Sequence, residues 1–424
     1  MLVTSPLWLI LREASCTADH PAGLKENLRP PKSALTSVPE NAEGPPGGAN
    51  AFDRARCAVG VSGRALGFWV MAELYSWPEI LSSLLDGKDL SVSESTWAMR
   101  QIMSGSATPS QLGAFLVALR AKGETVDEIV GFRDAILEAA LPLPVSADVL
   151  DIVGTGGDRF GTVNVSTTAA IVAAASGIPV VKHGNKAASS SSGSSDVLRA
   201  LGVDLDLSPE AVAETLDRAG LTFVFATAFH PGFRHAGPTR AELGVPTVFN
   251  FLGPLCNPAR AEANAVGVAH LDRVPLITGV FRTRGATALV FRGDDGLDEL
   301  TTTGHSRLWE VSRGDIHEHD LDPRDLGIPL ADIGDLLGGD PAHNAEIVRR
   351  VLAGERGPVR DIVLLNAAAG IVAYRLFRDA SEVQRPILER LGEAMELGAA
   401  AIDEGRAAAT LDRWVEVTTS LAPA

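Results

Sequence analysis

Val149-Leu-Asp-Ile-Val-Gly-Thr-Gly-Gly-Asp158 is the stretch from which the fold can be read. An apolar, β-branched run ends on a glycine turn. Asn164-Val-Ser-Thr167 then leads into a helical stretch over residues 168–175. Further short β-rich runs at residues 178–181, 221–225, 265–268 and 288–291 alternate with helical stretches. Such alternation implies a mainly parallel sheet flanked by helices, with ligands at the carboxyl ends of its strands.

Working outward, the spacing changes before Pro142 and Pro144. Trp97, Met99, Ile102 and Met103, then Leu112, Phe115, Leu116 and Leu119, then Val126, Ile129, Val130 and Phe132 recur at helical intervals. Thr108-Pro109 and the Thr125/Glu128 pair are helix-start signals. The fold class is therefore α/β, with a small all-helical domain (71–145) before a large α/β domain (146–424). Residues 1–70 contain Arg29-Pro-Pro-Lys32 and Gly44-Pro-Pro-Gly-Gly48 without sustained periodicity. They read as a disordered extension, and Met71 as an alternative start.

The chain has 424 residues, 46% of them hydrophobic, and a formal charge of -16, which disfavours nucleic acid and anionic membrane as partners. Three scattered cysteines, Cys16, Cys57 and Cys256, form neither a disulfide framework nor a zinc pattern and suit a reducing cytoplasm. The apolar run Pro6-Leu-Trp-Leu-Ile-Leu11 is too short for a membrane span and lacks a basic flank.

Gly154-Thr-Gly-Gly-Asp158 lets main-chain amides approach an anion at a helix start, although a lone Gly-x-Gly-Gly is more often an ordinary turn. Lys182-His-Gly-Asn-Lys186 and Ser189-Ser-Ser-Ser-Gly-Ser-Ser195 read as a second loop, starting after a strand that ends at Val181. Its cations, amide and hydroxyls could wrap a pyrophosphate. Arg240 suits a planar carboxylate, and Asp294-Asp-Gly-Leu-Asp-Glu-Leu300 puts four carboxylates at a strand end, where a hard divalent cation could sit. Each segment alone has a bland alternative: a solvated linker, a surface arginine or an acidic turn. Their placement at one end of one sheet is the argument.

Taken in order, Gly154-Thr-Gly-Gly-Asp158, Asn164-Val-Ser-Thr167, Lys182-His-Gly-Asn185, Thr247-Val-Phe-Asn-Phe-Leu-Gly-Pro-Leu255 with Asn257-Pro258, Asp298-Glu299 and Asp361-Ile-Val-Leu-Leu-Asn-Ala-Ala-Ala-Gly370 resemble the motif series of anthranilate phosphoribosyltransferases. The resemblance runs from about Trp77 to Trp414. It implies transfer of phosphoribosyl from 5-phosphoribosyl 1-pyrophosphate (PRPP) to anthranilate, the second step of tryptophan biosynthesis from chorismate. It also implies a cytoplasmic homodimer whose helical domain includes a further segment from later in the chain, with two Mg2+ ions.

By position, the resemblance assigns PRPP to Gly154, Gly157, Asp158, Thr162, Asn164, Val165, Ser166, Thr167, Lys182, His183, Gly184, Asn185, Lys186, Ala187, Ala188, Ser189, Ser190 and Ser194. Anthranilate falls to Gly154, Asn185 and Arg240, with His183, His230 and Phe233 as tunnel walls. Ser166, Asp298 and Glu299 would hold the metal, and Lys182 would assist the leaving group. His183 is a candidate for the released proton and equally a packing residue. Lys186 stands where the family usually has Arg, and Phe229 where it often has His; Lys lacks the planar fork. A pyrimidine nucleoside phosphorylase and a non-catalytic nucleic-acid-binding relative are the rival readings. Lys182-His-Gly-Asn185 with Asp298-Glu299 speaks against the first, and the negative charge against the second.

Overall fold

The computed structural model describes residues 75–186 and 192–423. The expectations for residues 1–70, and for Ala187, Ala188, Ser189 and Ser190, lie outside the described residues.

Helices α1 (Trp77–Leu85), α2 (Val92–Met103), α3 (Pro109–Lys122) and α4 (Val126–Ala139) come first. Both expected starts are present: Thr108 accepts from Gln111 N, and Thr125 from Glu128 N. Trp77, Phe115 and Phe132 meet edge to face, with centroids 5.7 and 5.8 Å apart, so the apolar faces close on a shared aromatic core.

The α/β part continues with β1 (Leu150–Gly154), α5 (Val165–Ala175), β2 (Val180–Gly184), α6 (Ser194–Leu201), α7 (Pro209–Ala219), β3 (Leu221–Phe225), α8 (Ala226–Phe229) and α9 (Phe233–Leu243). Then follow β4 (Ala263–Gly267), α10 (Val274–Arg284), β5 (Thr287–Gly293), β6 (Ser306–Ser312) and β7 (Asp315–Leu321). The last helices are α11 (Pro341–Leu352), α12 (Pro358–Arg378), α13 (Ile387–Asp403) and α14 (Arg406–Leu421).

One sheet runs β3-β2-β1-β4-β5-β6-β7. The pairs from β3 to β5 are parallel, and β5-β6 and β6-β7 are antiparallel. Side chains alternate between faces. Leu150, Ile152, Ala265 and Leu289 join the core beneath α5 and α12, whereas Val153, Val266 and Val290 join the core shared with α1–α4 and α10. The chain moves outward from β1 through β2 to β3, then restarts at β4 on the other side of β1. That reversal opens a crevice at the carboxyl ends of β1 and β4.

The β6-β7 hairpin was not among the expected strands. Its tight turn places Arg313 at φ 51° and Gly314 at φ 88°, the left-handed pair that a two-residue hairpin requires. Helix α9 packs on the helical part, where a Cβ on Gly232 would lie 2.8 Å from the Met103 carbonyl.

Candidate active site

Both strands at the crevice end on glycine, and the reason is the segment lying across them. A Cβ on Gly154 would sit 2.2 Å from Asp298 Oδ2, and one on Gly267 would sit 1.6 Å from the Asp298 carbonyl oxygen. Asp298 Oδ2 accepts from Gly156 N at 2.6 Å. Gly156 and Gly157 have φ 68° and 94°, both in the left-handed region that favours glycine. Glu299 Oε1 accepts from Ser166 N at 3.2 Å in the first turn of α5. The two carboxylates thus face the glycine loop and a helix N-terminus. Asp294 and Asp295 do not join them, which corrects the expectation of four. Asp295 holds its own turn, accepting from Leu297 N at 2.9 Å and from the Thr301 and Thr303 hydroxyls at 2.6 Å; Asp294 is paired loosely with Arg307 at 3.9 Å.

Strand β2 continues through Gly184, so Lys182 and His183 are strand residues and not the start of a loop. Lys182 is 1% exposed. Its Nζ donates to the Ile152 carbonyl at 2.6 Å and to Ser166 Oγ at 3.3 Å. Burial pushes its pKa down, and the Asp151, Glu299 and Asp298 carboxylates oppose that shift. Burial raises Asp298 to about 7, helped by the neighbouring Asp158, and drives Glu299 well above the usual carboxylate range. Both carboxyls therefore hold a proton more readily than usual, beside the buried Lys182 ammonium. Among the described residues, no three His, Cys, Asp or Glu side chains are arranged to hold a metal ion. The hard oxygens of Ser166, Asp298 and Glu299 suit a magnesium ion that takes its remaining ligands from phosphate and water.

Beneath this lies Asp151, fully buried. Its oxygens accept from His183 N at 3.0 Å and from Asn257 Nδ2 at 2.8 Å. Asn257 Nδ2 also donates to the Val181 carbonyl at 2.8 Å, so Asn257 and Asp151 together pin the end of β2. His183 Nδ1 lies 3.0 Å from the Gly253 carbonyl. Since a carbonyl only accepts, Nδ1 carries the proton and Nε2 the lone pair. Burial lowers His183 to about 3, so the ring stays neutral and is a weak proton acceptor.

Asn164, immediately before α5, donates to the Ser192 carbonyl at 3.1 Å and accepts from Asn344 Nδ2 at 3.0 Å. It ties the starts of α5 and α6 to α11. Thr162 forms a bridge to Leu337, and the buried Thr167 hydroxyl has no partner among the described residues. Val165 and Ser194 are the first residues of α5 and α6. Asn185 accepts from Thr227 Oγ1 at 2.9 Å, and Lys186 is exposed. Gly184 leaves space that Phe223 and Ser194 would otherwise meet at 2.8 and 3.2 Å.

From His183 outward, rings form a continuous ladder. His183 meets His230 at 5.3 Å, His230 stacks on Phe233 at 5.0 Å, and Phe233 meets Phe249 at 5.9 Å. The Arg240 guanidinium lies 5.1 Å from the Phe249 centroid and has no carboxylate partner among the described residues. Burial lowers its pKa. A half-buried guanidinium over a ring, with no carboxylate partner among the described residues, is suited to a carboxylate brought by a ligand.

The sequence matches the helical bundle domain of the glycosyl transferase family over residues 78–140 and its a/b domain over residues 146–408. It is 69% identical over 348 residues to the anthranilate phosphoribosyltransferase of Leifsonia xyli subsp. xyli, covering 82% of this chain and 100% of that protein. The chain belongs to the anthranilate phosphoribosyltransferase family. Among solved structures, the fold is similar to anthranilate phosphoribosyltransferase (TrpD) from Thermus thermophilus, with TM-score 0.73, 41% identity and coverage of 80% of this chain and 99% of that one. It is also similar to the Saccharomyces cerevisiae enzyme in complex with PRPP and Mg, with TM-score 0.73, 28% identity and coverage of 83% and 99%.

Sequence reasoning placed Gly154, Ser166, Lys182, His183, Asp298 and Glu299 in one site, and they do come together. Asp151, Asn257 and Phe249 lie within the sequence motifs without a chemistry of their own to mark them, and Asn344 lies outside the motifs. For Asp151 the visible signal is a carboxylate inside the apolar run Val149-Leu-Asp-Ile-Val153.

Proposed function

We propose that this protein transfers the 5-phosphoribosyl group of PRPP to the amine of anthranilate, giving N-(5-phosphoribosyl)anthranilate and pyrophosphate in tryptophan biosynthesis. The observation that carries the reading is that two features meet at Lys182 and His183, near the end of β2. On one side Lys182 reaches Ser166, beside which Asp298 and Glu299 face the glycine loop and a helix start. On the other, rings lead from His183 to Phe249, over which Arg240 lies with no carboxylate partner among the described residues.

The C1–O bond to pyrophosphate breaks as the amine nitrogen bonds to C1 and loses a proton. Amides of Gly156 and Gly157 and the starts of α5 and α6 would bind the phosphates, with Asp158, Asn164, Thr167, Lys186 and Ser194 around them. Ser166, Asp298 and Glu299 would hold Mg2+, and we propose two ions. When bound they supply Lewis-acid stabilisation of the leaving group. Lys182 holds Ser166 in place and adds a fixed positive charge. Arg240 would grip the carboxylate, and the rings from His183 to Phe249 would line the tunnel, orienting the amine for in-line attack; placement of this kind lowers barriers by about 7–11 kcal/mol in favourable systems. His183 Nε2, a weak base, would accept a hydrogen bond from the amine more readily than its proton.

Among the described residues no helix is long and apolar enough to cross a membrane. A cytoplasmic homodimer, with domain limits near residue 145, completes the reading; Leu85 and Val117, exposed on the helical part, suit a face covered by a second copy. The test is loss of anthranilate fluorescence on mixing protein, PRPP and Mg2+. No turnover with PRPP, together with phosphorolysis of a pyrimidine nucleoside, would replace this reading with the phosphorylase one.

A further inference from the structure

The segment Asp361-Ile-Val-Leu-Leu-Asn-Ala-Ala-Ala-Gly370 sets Asn366 in an otherwise apolar run that begins at Ile362. It lies in α12, which packs under β1, β4 and β5. Ile362, Val363, Leu365, Ala367, Ala368 and Ala369 are buried and apolar, and Asn366 among them is 0% exposed. An amide in such surroundings is costly unless every polar atom is bonded. Asn366 Oδ1 accepts from Leu300 N at 2.9 Å, and its Nδ2 donates to the Leu300 carbonyl at 2.9 Å and to the Ile362 carbonyl at 2.9 Å.

The side chain therefore pairs with the main chain of Leu300 as a neighbouring strand would. Leu300 directly follows Glu299. Asp295 secures the start of the same turn through Leu297 N, and the Asp298 carbonyl rests in the space left by Gly267. With its start tied to itself and its end tied to α12, the turn holds Asp298 and Glu299 where the long helix sets them.

We propose that Asn366 is a positioning residue for the Asp298 and Glu299 carboxylates, acting through the main chain of Leu300. The inference rests on the reading of these carboxylates as the Mg2+ and PRPP side of the site. Partners that orient metal ligands typically change metal affinity by about 10–100-fold when removed.

The experiment measures Mn2+ binding, by electron paramagnetic resonance, to PRPP-saturated wild type, Asn366→Leu and Asn366→Asp, with folding checked by circular dichroism. Anthranilate affinity is read separately from its fluorescence. In Asn366→Leu, Mn2+ affinity is expected to fall about tenfold or more while anthranilate affinity stays within about twofold, because the pairing lies on the metal side only. Asn366→Asp serves where the Leu variant does not fold. A neutral acid keeps one acceptor and one O–H donor for Leu300, whereas an ionised one loses the donor, so its Mn2+ affinity relative to wild type should fall as pH rises. A folded Asn366→Leu protein with wild-type Mn2+ affinity overturns the proposal. So does an Asn366→Asp protein matching wild type at every pH. Wild type that binds no Mn2+ with PRPP present overturns the metal reading and this inference with it; unchanged variants beside a binding wild type overturn this inference alone.

Discussion

Gly154→Ala tests the site at its tightest point. The residue lies outside the left-handed region, so its backbone accepts alanine and the cost is purely one of contact. The new Cβ would meet Asp298 Oδ2 at 2.2 Å where ordinary contact begins at 3.4 Å, so the oxygen must retreat by about 1.2 Å, the difference between the two. That movement breaks its 2.6 Å bond from Gly156 N. A hydrogen bond to a charged group contributes about 1.5–3 kcal/mol, and a misplacement of about 1 Å can cost about a hundredfold in rate. Because the obstacle is the far end of a side chain, the fold should survive. The expected result is kcat/KM for PRPP down about a hundredfold, by fluorescence assay, with little change in Tm. Gly267→Ala is the contrast: its Cβ would lie 1.6 Å from a main-chain oxygen, which cannot swing aside, so that protein should lose stability first. A Gly154→Ala enzyme within about threefold of wild type would refute the argument that Asp298 must occupy this position.

Arg240→Ala should raise KM for anthranilate by about 10–100-fold and leave KM for PRPP unchanged, with Arg240→Lys recovering little; an effect on PRPP alone would move Arg240 out of the acceptor site. Phe249→Leu, which removes the ring beneath the guanidinium, should raise the same constant by a few fold, about 0.5–1 kcal/mol, and steady-state kinetics with each substrate varied would reveal any other pattern. Buried histidines and buried carboxyls make opposing contributions to the pH dependence of stability. His183 at about 3 and His230 at about 4 bind protons when unfolded but not when folded, so their contribution to stability is lost as pH falls below 6.5. Asp151, raised by burial from 3.8 to about 6, acts oppositely across that window, as do Asp298, raised to about 7, and Glu299, raised well above the usual range. His230→Gln should therefore lower the slope of urea-measured stability against pH, between about pH 5 and about pH 6, by about one proton relative to wild type, and an unchanged slope would contradict its neutral state.

The parallel strands were legible because, buried on both faces, they appear as apolar runs between glycine and proline breaks. The starts of α3 and α4 were legible from their caps. Lys182 and His183 were misplaced because a charged residue after an apolar run reads as a loop; only the fold supplies Ile152 and Asp151 to make their burial tolerable. The β6-β7 hairpin escaped for a related reason. Glu310 points into the core of β6, where Arg390 from α13 grips both its oxygens at 2.6 and 2.9 Å, and no local pattern announces a partner so distant in the chain. The aromatic ladder is likewise tertiary, since α9 and the Thr247–Leu255 motif meet only after folding.

Strand β7 closes one edge of the sheet, and an open edge invites another chain to pair with it. Asp315-Ile-His-Glu-His-Asp-Leu321 leaves little there for a neighbour to use, since Asp315, Glu318 and Asp320 are exposed. At the opposite edge every residue of β3 is buried. The sheet is thus ended by charge at one side and by cover at the other. The ionisable hairpin that sequence periodicity could not recognise as a strand is a safeguard against aggregation in a protein that must remain dispersed to turn over substrate.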